Sequence, residues 1–186
     1  MKTLTTSNGK KIHIFDDLFT LDKRVYMKVF AQNSIYKTTG KSYQDLWETE
    51  NGRFLVSHYS PEDLNAFGLY SDPTGRMIPV LELLQGREVS RSWMLFSDLS
   101  TRIYYHTDGN VNDDNLSVLY YVNTEWKDEW NGETIFADDY GEAEIAVSFK
   151  PGRLVVFDSS IPHKASCIST DAPFRFTSNT VWTKPK

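Results

Sequence analysis

Residues 149–163 read FKPGRLVVFDSSIPH. Pro151-Gly152 is a tight-turn signal, and Leu154-Val155-Val156-Phe157 after it is too short and too β-branched for a helix, so it reads as a buried strand. The strand runs out at Asp158-Ser159-Ser160, and His163 follows just beyond it. A histidine placed past the end of a buried strand faces the mouth of whatever barrel or sandwich the strand helps to build. The plain alternative is a loop histidine with an ordinary hydrogen bond.

Working outward, strand patterns extend from Val89 to the end of the chain. They fall at Val89–Phe96, Arg102–His106, Leu116–Asn123, Glu133–Phe136, Ile145–Phe149, Arg153–Phe157 and Phe174–Trp182, separated by turn-rich segments such as Asp108–Asn115 and Ser169–Pro173. Before residue 89 the texture differs. Ile12–Phe15 and Phe54–His58 are strand-like, Leu21–Ala31 has helical spacing, Ser60-Pro61-Glu62-Asp63 is a helix start, and Arg76–Gln85 reads as a helix stopped by Gly86. Helices followed by serial short strands predict an α+β, mainly β fold. Residues 1–88 then supply helical support and first strands, residues 89–186 a jelly-roll core, all within one domain over 1–186. Thr38–Gly52, a polar window around Trp47, reads as a loop or lid.

Composition narrows the function classes. The chain has 186 residues, 40% hydrophobic and 24% charged, an ordinary globular balance. Its aromatic content of 14% suits strands. A net charge of −5 argues against a nucleic-acid coat, leaving nucleic acid a minor partner class. One cysteine, Cys167, excludes a disulfide framework and a multi-cysteine zinc site, and it reads as a buried small residue or an inert thiol. With no signal-like or membrane-spanning apolar run, the expectation is a soluble, cytoplasmic protein.

Three clusters carry chemistry. His106-Thr107-Asp108 is an H-x-D whose two side chains share one face if the segment stays extended, with Tyr104 on that face as well. His163 is the second histidine. In Phe174–Trp182, alternation puts Arg175, Thr177 and Asn179 on one face and Phe174, Phe176 and Trp182 on the other. An arginine on the inner face of an aromatic strand requires a partner, a protein carboxylate or an anionic ligand. Two histidines and a carboxylate suit the facial triad of a non-haem ferrous ion, and also zinc. The arginine tips the balance toward iron, because a hydrolytic zinc site has no use for a carboxylate clamp there. Asp108-x-Asn110-x-Asn112 is no calcium loop, since its sixth and twelfth positions are Asp113 and Leu119. The pairs Asp16-Asp17, Asp113-Asp114 and Asp138-Asp139 read as solvated turns.

In order, YYHTDG, LYYVNTEW, NGETIF, FKPGRLVVFDSSIPH and FRFTSNTVW resemble the Fe(II)/2-oxoglutarate-dependent dioxygenases, in the prolyl 4-hydroxylase-like branch, from about Trp93 to Trp182. Leu119–Asn123 followed by Trp126 is similar to the hypoxia-sensing prolyl hydroxylases. The resemblance implies a double-stranded β-helix. It implies Fe(II) held by His106, Asp108 and His163, with 2-oxoglutarate clamped by Arg175 and assisted by Thr177 and the Tyr121 phenol. O2 would be the oxidant, with ascorbate as an accessory reductant. The implied substrate is a prolyl residue of a peptide or protein, with a small molecule, free amino acid or nucleobase as the alternative, and a non-catalytic binding module as a third reading. Tyr104, Asn179 and Trp182 are candidates for the substrate wall, and Trp47, Trp126 and Trp130 for a groove. Asn131-Gly132-Glu133 departs from the family, which often has a double glycine before this glutamate.

Overall fold

The computed structural model describes residues 1–38, 52–71 and 74–185. The expected lid falls almost wholly outside them, and Trp47 with it.

Alternation along the strands explains the architecture. In β8 (Leu116–Tyr121), Val118 and Tyr120 enter one core and Leu119 and Tyr121 another. In β11 (Leu154–Asp158), Leu154 and Val156 likewise part from Val155 and Phe157. Such strands are apolar on both faces because both faces are covered. They sit at the centre of an eight-stranded antiparallel sheet. Its order is β1 (Lys2–Thr5), β2 (Lys11–Phe15), β11, β8, β13 (Arg175–Thr183), β6 (Glu88–Ser97), β5 (Leu55–His58) and β3 (Lys37–Thr38). A three-stranded sheet of β10 (Ala143–Val147), β9 (Thr134–Ala137) and β12 (His163–Ala165) belongs to the other layer, and β4 (Gly52–Arg53) pairs with β7 (Arg102–Ile103). The fold is the double-stranded β-helix.

Among the described residues, three helices support the outer face of the large sheet. Helix α1 (Leu21–Asn33) starts where the Thr20 hydroxyl accepts from the Lys23 amide, and it buries Met27 and Ala31. Helix α2 (Pro61–Phe67) opens with the reciprocal cap expected from its sequence, as the Asp63 amide donates to Ser60 Oγ and the Ser60 amide to the Asp63 carboxylate. Helix α3 (Ile78–Leu83) is shorter than the expected 76–85. Met27, Leu64, Val80, Met94, Tyr120, Val156 and Phe176 join in this outer core. The inner core, between the sheets, contains Ile12, Ile14, Leu119, Tyr121, Phe136, Phe149, Val155 and Phe157. No helix among the described residues is long and apolar enough to cross a membrane.

Several expectations need correction. The strand expected over Arg102–His106 ends at Ile103, so the chain is not extended through Tyr104. β12, only three residues long, gave no periodic signal. Cys167 is exposed, so the buried reading does not hold. Asp16 is no free turn acid: it takes Arg153 Nε at 2.8 Å and Nη2 at 3.0 Å, joining the end of β2 to the turn before β11.

Candidate active site

His106 and Asp108 converge by backbone pairing and not by strand alternation. His106 and His163 form an isolated antiparallel bridge, and the Asp108 and Gly109 amides both donate to the Ser159 carbonyl, at 2.8 and 3.0 Å. Gly109 is needed for that approach, since a Cβ there would lie 3.1 Å from Ser159 Cβ. Three chain segments, from before β8, after β11 and at the start of β12, therefore meet at one point. The ligating atoms of His106, Asp108 and His163 lie within 4.8 Å of one another.

Each imidazole is oriented by its own backbone. His106 Nδ1 lies 2.9 Å from the Tyr104 carbonyl, and His163 Nδ1 lies 3.0 Å from the Ile161 carbonyl. A carbonyl only accepts, so each Nδ1 carries the proton and each Nε2 presents a lone pair. These Nε2 atoms face the two Asp108 oxygens at 3.9 and 3.6 Å. Burial holds the His163 pKa below the ordinary histidine value, and His106 adds to that effect against the attraction of Asp108. The neutral ring is the ligating form. Asp108 Oδ2 accepts from Ser117 Oγ at 2.6 Å, and Ser117 is in turn 2.9 Å from Ser159 Oγ. This is the outer support that a metal-binding carboxylate requires.

Arg175, on β13, is 2% exposed. Its Nε donates to the Gly132 carbonyl at 3.1 Å, and its guanidinium stands 5.2 Å from the Phe149 ring centroid and 5.8 Å from that of Tyr121. Among the described residues it has no carboxylate within ion-pair distance. Burial pushes its pKa down to about 10, partly offset by Tyr121 and Glu133. A buried, charged fork whose terminal nitrogens lack an acid is a site for an anion.

The triad and Arg175 line one cavity of about 550 Å³, together with Thr177 and Asn179. The Asn179 amide donates to Thr177 Oγ1 at 3.2 Å. Tyr121 is fully buried behind this surface, its hydroxyl 2.8 Å from Thr134 Oγ1 and 3.3 Å from the Val147 carbonyl. Thr134, not Tyr121, lines the cavity, and it stands in the NGETIF motif without having been singled out. Two wall candidates are misplaced. Trp182 lies on the opposite face of β13, packed edge-on to Tyr70 at 4.9 Å. Tyr104 is 55% exposed and outside the cavity lining, because the strand stops before it. Trp126 and Trp130 also lie off the cavity; Trp126 packs on Phe149, 4.3 Å between centroids. Sequence reasoning missed His58, Arg91 and Trp93, which line the cavity's other end.

Fold and site thus define a double-stranded β-helix with a two-histidine, one-carboxylate centre. Residues 96–184, 89 of the chain's 186, match the model of the 2OG-Fe(II) oxygenase superfamily. Its members use Fe(II), 2-oxoglutarate and O2, and the donor set found here fits a ferrous ion with three positions left open. Similar solved structures include a Pseudomonas putida prolyl-4-hydroxylase, 17% identical with TM-score 0.67, covering 94% of this chain and 92% of that one. A Trichoplax adhaerens prolyl hydroxylase, solved with a peptide of the hypoxia inducible factor oxygen degradation domain, is 11% identical with TM-score 0.67, covering 93% and 83%. HygX from Streptomyces hygroscopicus, solved with nickel and 2-oxoglutarate, is 12% identical with TM-score 0.68, covering 96% and 83%. At these identities the likeness is one of fold. Compared by sequence with curated proteins, the chain matches none.

Proposed function

We propose that the chain is a single-domain Fe(II)- and 2-oxoglutarate-dependent hydroxylase. His106, Asp108 and His163 hold the ion, and Arg175 takes the distal carboxylate of 2-oxoglutarate. Bound iron supplies the redox chemistry: O2 is reduced as 2-oxoglutarate loses CO2 to become succinate, and one oxygen atom enters a substrate C–H bond to give C–OH. The chain's own residues do the rest. Tyr104 and Ile161 carbonyls fix both imidazole tautomers, Ser117 orients the carboxylate, and Phe149, Leu119 and Phe157 keep water from the clamp. Thr177 and Thr134 offer hydroxyls beside the cosubstrate's carboxylate. The observation that carries this reading is Arg175, buried and without an acid partner at the end of the cavity that also contains the triad.

For the substrate we propose a prolyl residue of a peptide, supported by the YYVN–Trp126 segment and by the likeness to a hydroxylase solved with such a peptide. A small molecule is the second reading, favoured by a cavity of about 550 Å³ that must hold the cosubstrate as well. The test is succinate formation by wild type and His106→Ala with Fe(II), ascorbate, 2-oxoglutarate and a proline-peptide library. Wild type alone should turn over and add one oxygen atom to a proline peptide. Absence of succinate from wild type with iron bound overturns the enzyme reading. An oxygenated product outside the proline peptides overturns the prolyl assignment.

A further inference from the structure

β13 pairs with β6 so that Arg175 lies opposite Ser97, Thr177 opposite Leu95, Asn179 opposite Trp93, and Val181 opposite Arg91. Directly paired residues point to the same face, so one continuous inner surface runs from Arg175 to Arg91. Arg175 and Val181 are about 20 Å apart along an extended strand. Ser117, which fastens Asp108, pairs with Val181 and so falls in the Arg91 row. The cosubstrate clamp is therefore at one end of this surface, and the second guanidinium stands beside the metal triad at the other.

Arg91 is held in place without being neutralised. Its Nη2 donates to the backbone carbonyl of Asp108, and its guanidinium lies 5.9 Å from the Trp93 ring centroid. Two arginines of the fold have acids, Arg87 with Asp114 at 2.6 Å and Arg153 with Asp16 at 2.8 Å, while Arg24 and Arg102 bond backbone carbonyls. Among the described residues Arg91 has no acid. Among the described residues, the only acidic one lining the cavity is Asp108, whose charge the metal would use. A ferrous ion, Asp108, doubly charged 2-oxoglutarate and Arg175 would together come to neutrality, so Arg91, a solvent-exposed cation on the cavity lining, is left without an acidic partner among the described residues. His58 stands opposite Trp93 on β5 and adds a second nitrogenous group to that end.

Resting on the hydroxylase reading above, we propose that Arg91 is a specificity-determining residue that selects substrates bearing a carboxylate, either on the target residue itself or on its neighbour. Trp93 supplies the apolar wall against the substrate body. A planar fork already braced by a carbonyl and an indole loses little entropy when it closes on a carboxylate. The carboxylate can belong to a free amino acid derivative or to an acidic residue beside the target in a peptide; the recognition chemistry is the same.

The experiment is anaerobic calorimetric titration of protein loaded with Fe(II) and 2-oxoglutarate. The probes are matched pairs: N-acetyl-L-proline against its amide, and a Pro-Glu hexapeptide against its Pro-Gln counterpart. We expect the acidic member of at least one pair to bind wild type at least tenfold more tightly than the neutral member. Which pair does so separates the two sources. Arg91→Gln should erase the difference, Arg91→Lys should retain part of it, and both should bind iron and 2-oxoglutarate as wild type does. Equal binding within every pair, including no binding by any member, overturns the proposal. So does loss of iron binding in Arg91→Gln, which would make Arg91 a brace for Asp108. Failure of wild type itself to bind 2-oxoglutarate is the distinct result that overturns the hydroxylase reading.

Discussion

His106 and His163 exchange both hydrogen bonds of an antiparallel bridge, at 3.1 and 2.9 Å, and their rings stand 4.5 Å apart centroid to centroid. The bridge brings two candidate ligands from distant stretches of chain to the same position through the backbone alone. Binding free energy is therefore expected to appear as folded-state stability, about 2.7 kcal/mol at a hundred times Kd. For a chain this size that is roughly 5–10 °C in Tm. Anaerobic Fe(II) should raise the melting temperature of wild type by this order and leave that of His106→Ala unmoved.

Ser117→Ala removes the hydroxyl that donates to Asp108 Oδ2 at 2.6 Å and leaves all three ligands in place. Loss of such outer support costs about 10–100-fold in metal affinity or activity. Iron titration should show the weakened Kd, and saturating iron should restore much of the succinate formation.

Arg175→Lys keeps a cation but loses the flat fork and the Nε bond to Gly132. KM for 2-oxoglutarate is expected to rise by at least about tenfold, the equivalent of one charge-assisted hydrogen bond, with iron affinity unchanged. An unchanged KM would remove Arg175 from the clamp.

Gly132 has φ +85°, and a Cβ on it would lie 3.2 Å from Trp126 and 3.3 Å from Arg175 Cδ. Gly132→Ala should destabilise the fold by about 1–3 kcal/mol and raise KM for 2-oxoglutarate by displacing the arginine. Thermal melting and a cosubstrate titration check the two effects.

Hydrogen bonds from Arg153, the first cause, hold the Asp16 carboxyl below its usual value of 3.8. The folded pKa is the lower one, so this stabilisation is fully present above the unfolded value and fades as pH falls through the folded one. Asp16→Asn should lower Tm modestly at neutral pH, by an amount that solvent exposure of the pair keeps small. The gap from wild type should close in acid below about pH 4.

Much of this was legible in the chain because period-two alternation reports burial directly. The inward set of β13, Arg175, Thr177 and Asn179, and the outward Phe176 and Trp182 could be read from spacing. The same spacing already contradicted Trp182 as a wall residue, since it shares the Phe176 face. His106 and Asp108 do converge, but not through the strand alternation that the spacing suggested. β7 stops at Ile103, and backbone bonds to Ser159 and His163, invisible to local periodicity, do the gathering. Tyr104 failed with that assumption. Arg91 and His58 carry no local signal, because a charged residue on a strand looks the same facing water or facing a cavity. Asp16 looked like turn punctuation because its partner Arg153 is remote in sequence.

The strand register that seats Arg175 at one end of β13 and Arg91 across from its other end has an evolutionary corollary. Under the roles proposed above, cosubstrate binding and choice of target would fall on separate rungs of the same ladder. Substitution of the outer rungs, Val56 and His58 on β5 with Arg91 and Trp93 on β6, would then alter the target while leaving the triad and Arg175 untouched. A scaffold divided this way can be retargeted one neighbouring side chain at a time.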